Sequence, residues 1–322
     1  MEREARAFWI RSPGKSEIRT TALPAPGPDD VLVRTAFSGV SRGTETLVFR
    51  GAVPASQHEL MRAPFQEGEF PGPVKYGYLN AGVVEQGPSG LLGRSVFCLY
   101  PHQTRYVVPA DAVRPVPDGV PLERAVLAGT VETAVNALWD AAPLVGDRIA
   151  VVGGGMVGCA VAGVLAGFPG AAVQLVDIDP SRADIAARFG ARFASPDTAE
   201  GDCDLVVHAS ATEAGLARSL ELLAPDGEVV ELSWYGDRRV GVPLGEYFHS
   251  RRLTVRGSQV GTLPARRARR GFAARTALAL RLLAAPAFDA LITGESAFED
   301  LPEVMAALAA GELPALCHRI RY

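Results

Sequence analysis

The chain is 322 residues long, 48% hydrophobic and 21% charged, with a formal net charge of −4. That length accommodates two domains, the composition excludes a disordered or collagen-like chain, and the acidic balance leaves no global electrostatic case for binding nucleic acid. Four cysteines, Cys98, Cys159, Cys203 and Cys317, are scattered without CxxC spacing, which argues for a reducing compartment and against a disulfide scaffold or a structural zinc lobe.

The opening MEREARAFWI alternates in charge where a signal peptide would be apolar, so a cytoplasmic location is expected. Strands are predicted at Ala7–Ile10 and Val31–Ala36, a Pro/Gly-rich surface loop over 51–73, and further strands at Ala81–Glu85, Ser95–Leu99 and Tyr106–Val108. Together they make a β-rich, partly barrel-like domain up to about residue 120. Past the turn VPDGVP, Pro121–Ala141 carries Leu122, Val126, Leu127, Val131, Val135 and Leu138 at helical spacing. Strands at 149–152, 172–176, 204–208, 227–232 and 252–256 then alternate with helices at 156–166, 181–189 and 213–223. This alternation implies βαβ units and a parallel sheet. Helices near 272–285 and 299–309 and a strand near 317–321 close the chain.

Ile149–Val176 contains no charged residue and passes a crude membrane-span test of about 18 apolar residues. Seven glycines and Pro169 lie within it, so it reads as a strand, a glycine turn, a helix and a second strand, apolar because a parallel sheet is covered on both faces. Gly153-Gly154-Gly155-Met156-Val157-Gly158 fits G-x-G-x-x-G between the strand Ile149–Val152 and an apolar helix. In that setting Gly153 allows the tight turn, Gly155 admits a pyrophosphate to the backbone, Gly158 lets helix and strand approach, and the helix start favours an anion. The next strand ends at Asp177, 177 − 158 = 19 residues past the third glycine, where a carboxylate would accept from the ribose 2′-hydroxyl of NAD and repel the 2′-phosphate of NADP. NAD(H) is the expected cofactor, although Arg182 could pair with a phosphate.

With these residues in view, the chain resembles the medium-chain dehydrogenase/reductase superfamily. DIDPSRADIAARFGA (177–191), DLVVHAS and LELLAPDGEVVELSWYG (within 204–236), FHSRRLTVRGSQVG (248–261) and LITGESAFEDLPEVMAALAAGE (291–312) follow that family's order of segments. The resemblance implies a GroES-like catalytic domain from 1–122 and 262–322, with a Rossmann domain of 123–261 between them. It implies a small-molecule substrate in the interdomain cleft, and a homodimer paired through the last Rossmann strand near 252–257. The turn SGVSRGTETLVFRG (38–51) is most similar to the zinc-less branch containing bacteriochlorophyllide hydroxyethyl dehydrogenases.

In zinc members of the family the metal sits on two cysteines and a histidine. The matching positions here are Ser41, Tyr78 and Gly129, none of which offers a thiolate, imidazole or carboxylate. The expectation is a zinc-independent dehydrogenase that interconverts a secondary alcohol and a ketone. The alternatives are an NADPH-dependent enoyl or quinone reductase, or a dinucleotide-binding protein without catalysis. Tyr78 is the candidate acid/base, with Lys75 able to lower its pKa; equally, Tyr78 fills the space left by the metal and Lys75 is a solvated loop residue. Ser41 lines the same site. His102 is a candidate proton relay or a structural histidine. Glu132 is a candidate acid near the nicotinamide or a helix-surface residue, and Glu45 a carboxylate behind the vacated metal ligands. Arg42, by resemblance, is directed at the pyrophosphate. Arg182, Met156, Val157, Thr133 and Ser210 complete the expected cofactor contacts.

Overall fold

The computed structural model describes residues 4–322. Its contacts divide the chain into two units, one running up to Gly129 and joined by Ile292–Tyr322, the other Thr130–Leu291.

The first unit is built on β-sheets. Glu4–Ser12 and Lys15–Ala22 form an antiparallel hairpin with Phe8 opposite Ile18, and Glu4–Ser12 also pairs with the short strand Val74–Lys75. A second sheet runs Ile292–Ala297, Cys317–Arg321, Asp30–Ser41, Asn80–Gln86, Ser95–Cys98 and Arg114–Pro115, with Arg105–Pro109 also paired to Asp30–Ser41. The closing strand is antiparallel to Asp30–Ser41, setting Cys317 opposite Ser41 and Ile320 opposite Ser38. Early and late parts of the chain therefore share one sheet. Asp30–Ser41 runs straight into the helix Arg42–Phe49, whose Val48 and Phe49 are buried.

The second unit is a six-stranded, wholly parallel sheet in the order Arg192–Ala194, Ala172–Val176, Arg148–Val152, Cys203–His208, Leu223–Glu231, Thr254–Gly257. Numbered from its own first strand, this is 3-2-1-4-5-6, the doubly wound Rossmann order. Ile149–Val152 and Leu175–Val176 are buried, as a sheet with covered faces requires. The uncharged stretch is thus two adjacent strands with the helix Met156–Leu165 between them. No helix among the described residues is long and apolar enough to cross a membrane.

The chain returns to the first unit at Ile292 rather than near 262. The helix Gly271–Leu282 belongs to the Rossmann unit because buried Arg275 and Thr276 bond Glu132, and the turn Pro286–Leu291 brings Phe288 edge-on to Phe189. The helical pattern of 121–141 is interrupted at 126–127, leaving Leu122–Ala125 and Ala128–Ala141.

Candidate active site

In the second unit the strand Arg148–Val152 leads directly into the glycine turn. Gly153 has φ +108°, and a Cβ there would lie 2.5 Å from the Ser210 amide nitrogen. A Cβ on Gly158 would sit 1.8 Å from the Gly153 carbonyl oxygen, so helix and strand meet only because that side chain is missing. At Gly155 the opposite holds: nothing lies within 4 Å of an added Cβ, and the backbone faces open space. Gly155 caps the helix without a side-chain acceptor, so the amides of Met156, Val157 and Gly158 are the first-turn donors an anion would meet. Met156 is buried with its sulfur 3.4 Å from the Thr130 hydroxyl, and Val157 is partly exposed.

Asp177 is aimed back at this turn. Its carboxylate accepts from the Gly154 and Asp179 backbone N–H groups, leaving lone pairs on both oxygens for hydroxyl donors. Arg182 pairs with Asp179 at 3.1 Å, so its guanidinium is engaged within the same loop. Ile178, 86% exposed, stands beside the acid as a large apolar side chain with no core to fill. Its only signal in the sequence is an isoleucine directly after the acid. These residues suit a dinucleotide: an open backbone cradle for phosphates, a carboxylate for a ribose and an apolar surface for a base.

Glu132, a candidate acid, and Thr133 and Arg42, expected cofactor contacts, are not part of the glycine turn. Glu132 is buried, its carboxylate bonded to Arg275 Nε at 3.0 Å and to the Thr276 hydroxyl at 2.9 Å. A carboxylate held by a guanidinium is a poor proton donor, so this residue ties helices together. Thr133, its neighbour, is partly buried. Arg42 is an exposed residue opening the helix of the first unit, with its carbonyl accepting from Thr46.

In the first unit a chain of buried polar side chains joins segments far apart in sequence. Glu45 accepts from the Ser41 backbone N–H at 2.8 Å and lies 2.8 Å from His102 Nε2. His102 Nδ1 is 2.6 Å from Ser38 Oγ, which is 2.9 Å from the Tyr322 hydroxyl. Ser38, Glu45 and His102 are almost fully buried. Tyr78 sits beside them, partly exposed and near Glu45 and the Ser41 and Thr44 hydroxyls. Burial and the nearby Glu45 push the Tyr78 phenol up to about 12, against the pull of those hydroxyls.

This overturns the idea that Lys75 lowers the Tyr78 pKa. Lys75 is 1% exposed, paired with Glu67 and donating to Gln103 Oε1 at 2.7 Å, with the Tyr100 ring 5.4 Å away. Burial lowers its own pKa, against the pull of Glu67. It is neither a solvated loop lysine nor a partner of Tyr78. The structure thus gathers Ser41, Tyr78, Glu45 and His102, adds Ser38, Thr44 and Tyr322, and leaves Lys75 apart.

The family's zinc ligands have no counterpart in this donor set. Gly129, at one cysteine position, faces Leu79: a Cβ there would lie 2.5 Å from Leu79 Cδ2. Leucine has closed that corner. Among the described residues no group of three or more His, Cys, Asp or Glu side chains could hold a metal ion.

No family profile matches the chain. It is 28% identical over 142 residues to a probable D-xylulose reductase A of Neosartorya fischeri, a stretch spanning 39% of this chain and only 40% of the relative's length. It is 26% identical over 252 residues to a D-guloside 3-dehydrogenase of Shigella flexneri, covering 69% of this chain and 71% of that one. Among solved structures, L-idonate 5-dehydrogenase of Escherichia coli superposes with a TM-score of 0.82 at 15% identity, covering 100% of this chain and 99% of that one. The chain therefore has the fold of the medium-chain dehydrogenase/reductase superfamily and is similar to its members in sequence.

Proposed function

We propose that the protein is a zinc-independent, NAD(H)-dependent oxidoreductase that interconverts a secondary alcohol and a ketone on a small, polyol-like substrate. The observation that carries this reading is the pairing of an open glycine turn with a carboxylate aimed at it, Asp177, whose nearest guanidinium is already held by Asp179. A 2′-phosphate would meet negative charge there, whereas a ribose diol would meet an acceptor.

When bound, NAD(H) supplies or takes the hydride. The chain's own contribution is the handling of the oxygen. Tyr78, with its phenol pushed up to about 12 by burial and Glu45, stays protonated at neutral pH and donates to a carbonyl oxygen. It is therefore better suited to reduction than to taking a proton from an alcohol. The Glu45 charge disfavours the phenolate, against the pull of the Ser41 and Thr44 hydroxyls. The chain of Glu45, His102, Ser38 and Tyr322 holds Glu45 in one arrangement.

Two further assignments rest on the same reading. A homodimer would form along Thr254–Gly257, the edge strand of the parallel sheet, whose four residues are exposed. A cytoplasmic location fits four buried, free cysteines.

The test is titration of the full chain with NADH and NADPH, followed by fluorescence, together with metal analysis of the purified protein. NADH should bind at least about tenfold tighter than NADPH, and Asp177→Ala should erase that preference, in line with about 1.5–3 kcal/mol for hydrogen bonds to a charged group. Tighter NADPH binding would reverse the cofactor assignment. Stoichiometric zinc would sink the metal-independent one.

A further inference from the structure

This acidic chain carries one strongly basic segment. Residues 232–270 hold nine arginines against two acids, Asp237 and Glu246. Four of those arginines are engaged within the protein: Arg252 pairs with Asp226, Arg256 with Glu228, and Arg238 and Arg251 donate to main-chain carbonyls. Arg266, Arg267, Arg269 and Arg270 differ. All four are exposed on the 3₁₀ turn Ala265–Arg270, and none of their guanidiniums has an acceptor among the described residues.

A 3₁₀ turn advances three residues per revolution, so positions three apart eclipse. Arg266 therefore stands in line with Arg269, and Arg267 with Arg270, at a rise of about 6 Å within each pair. Ala265 and Ala268 take the third ridge. Like charges in register repel, and no carboxylate separates these. A phosphate monoester relieves the repulsion: its two charges and three terminal oxygens take forked bonds from two guanidiniums at once, where a carboxylate is satisfied by one.

The turn's place in the fold decides which phosphate it meets. Arg275 Nη2 donates to the Val260 carbonyl at 2.6 Å, and Asn136 Nδ2 to the Gln259 carbonyl at 3.3 Å. Residues 261–274 are therefore an excursion whose two feet are tied together just past the carboxyl end of Thr254–Gly257. Parallel sheets of this order take their ligands at that end. Thr254–Gly257 lies four strands from Ala172–Val176, the strand that ends at Asp177, which is about 19 Å at the usual strand spacing. A 2′-phosphate beside Asp177 is too far away to be the arginines' ligand, and a dinucleotide pyrophosphate is already met by the amides of the glycine turn. What remains is an anion on the substrate.

We infer that the Ala265–Arg270 turn recognises a phosphate group carried by the substrate, so that the alcohol or ketone is a phosphate ester. This rests on the NAD(H) oxidoreductase reading above. The test is calorimetric titration of the full chain with inorganic phosphate in saturating NADH, which fills the glycine turn. One phosphate should bind per chain, displaced by sn-glycerol 3-phosphate and not by glycerol. Arg266→Gln with Arg269→Gln, and Arg267→Gln with Arg270→Gln, each remove one ridge at exposed positions where folding is not at stake. At least one of these double variants should weaken phosphate about tenfold or more, with NADH affinity within about twofold of wild type. Arg188→Gln with Arg281→Gln removes the same charge at exposed positions elsewhere in the unit and should change phosphate affinity by less than about threefold. No phosphate binding beside NADH, equal losses in the control and the ridge variants, or failure of the ester to displace phosphate overturns the inference. Phosphate that binds only without NADH, with NADPH weakened by the ridge variants, assigns the arginines to the cofactor and overturns it too. Wild-type chain that binds no NADH overturns the oxidoreductase reading itself, and the substrate assignment with it.

Discussion

In the parallel-sheet unit, the turn that would receive the phosphates is made from side chains that are missing. Gly153 and Gly158 are required because a Cβ would strike the Ser210 amide or the Gly153 carbonyl, and Gly155 leaves the backbone bare. In the β unit the polar cluster is made from side chains that are present: Ser41 and Glu45 from the end of one strand and the helix after it, Tyr78 and His102 from separate loops, Ser38 from a strand and Tyr322 from just past the strand paired to it. A site of the first kind is local in sequence and tolerates no added atom. One of the second kind depends on long-range register and on each polar group finding its partner. Each substitution below tests whether that contrast holds.

The largest effect is expected at Tyr78, the side chain proposed to donate to the reacting oxygen. Tyr78→Phe removes one hydroxyl without changing the fold and should lower turnover by about 10²- to 10⁴-fold, while NADH affinity stays unchanged. The pH dependence follows from the raised phenol. The protonated form is the donor, so with a pKa of about 12 the reduction rate should persist as pH rises through about 10, where an ordinary tyrosine would already be losing its proton. A rate that falls with a midpoint near 10 would mean another group sets the limb. Full turnover in Tyr78→Phe would leave the β unit without its proposed acid.

Next in size is a buried ion pair that makes the Rossmann unit depend on side chains too. Arg275 is 2% exposed, and it meets Glu132, also 2% exposed, across two helices. Arg275→Ala leaves the Glu132 carboxylate with the Thr276 hydroxyl but without its guanidinium, at an expected cost of about 3–5 kcal/mol in urea unfolding. A loss below about 1 kcal/mol would mean the carboxylate finds water or takes up a proton, and Glu132 would return as a candidate acid.

These two residues also mark the limits of what could be read from sequence. The glycine turn and Asp177 were legible because spacing alone carries their geometry, and the parallel sheet because its strands are continuous apolar runs. Lys15–Ala22 is not legible because KSEIRTTA is a half-exposed hairpin arm with one large aliphatic residue, Ile18, opposite Phe8. Arg42–Phe49 was read as a turn because its apolar residues are few and begin only at Leu47. Ser38 and Tyr322 could not be found at all: 284 positions separate them, and only the antiparallel register of the closing strand brings them to 2.9 Å. Lys75 was misjudged for the same reason, since both its partners, Glu67 and Gln103, lie outside its own strand.

Gly158→Ala tests the glycine turn from the other direction. The added methyl would lie 1.8 Å from the Gly153 carbonyl oxygen, which is backbone and cannot rotate aside. Overpacking of this kind costs about 1–3 kcal/mol, and the shift needed to relieve it would misplace the first helical amides. Thermal unfolding should register the strain, and NADH titration a loss exceeding that of any single side-chain deletion in the same unit. Wild-type affinity would mean the cradle is not assembled from that turn.

The smallest effect is expected at Arg182. Its guanidinium is held 3.1 Å from Asp179 at the start of its own helix, with the Asp179 side chain 43% exposed. Such a pair contributes about 0–1 kcal/mol, and the Arg182 stem packs over Gly154. Arg182→Ala should therefore change NADH affinity by less than about threefold and should not improve NADPH. A drop of tenfold or more would mean the guanidinium leaves Asp179 for the bound dinucleotide. The Rossmann unit would then hold its ligand with a mobile cation as well as a bare backbone, and the division between the two units would narrow to the glycine turn alone.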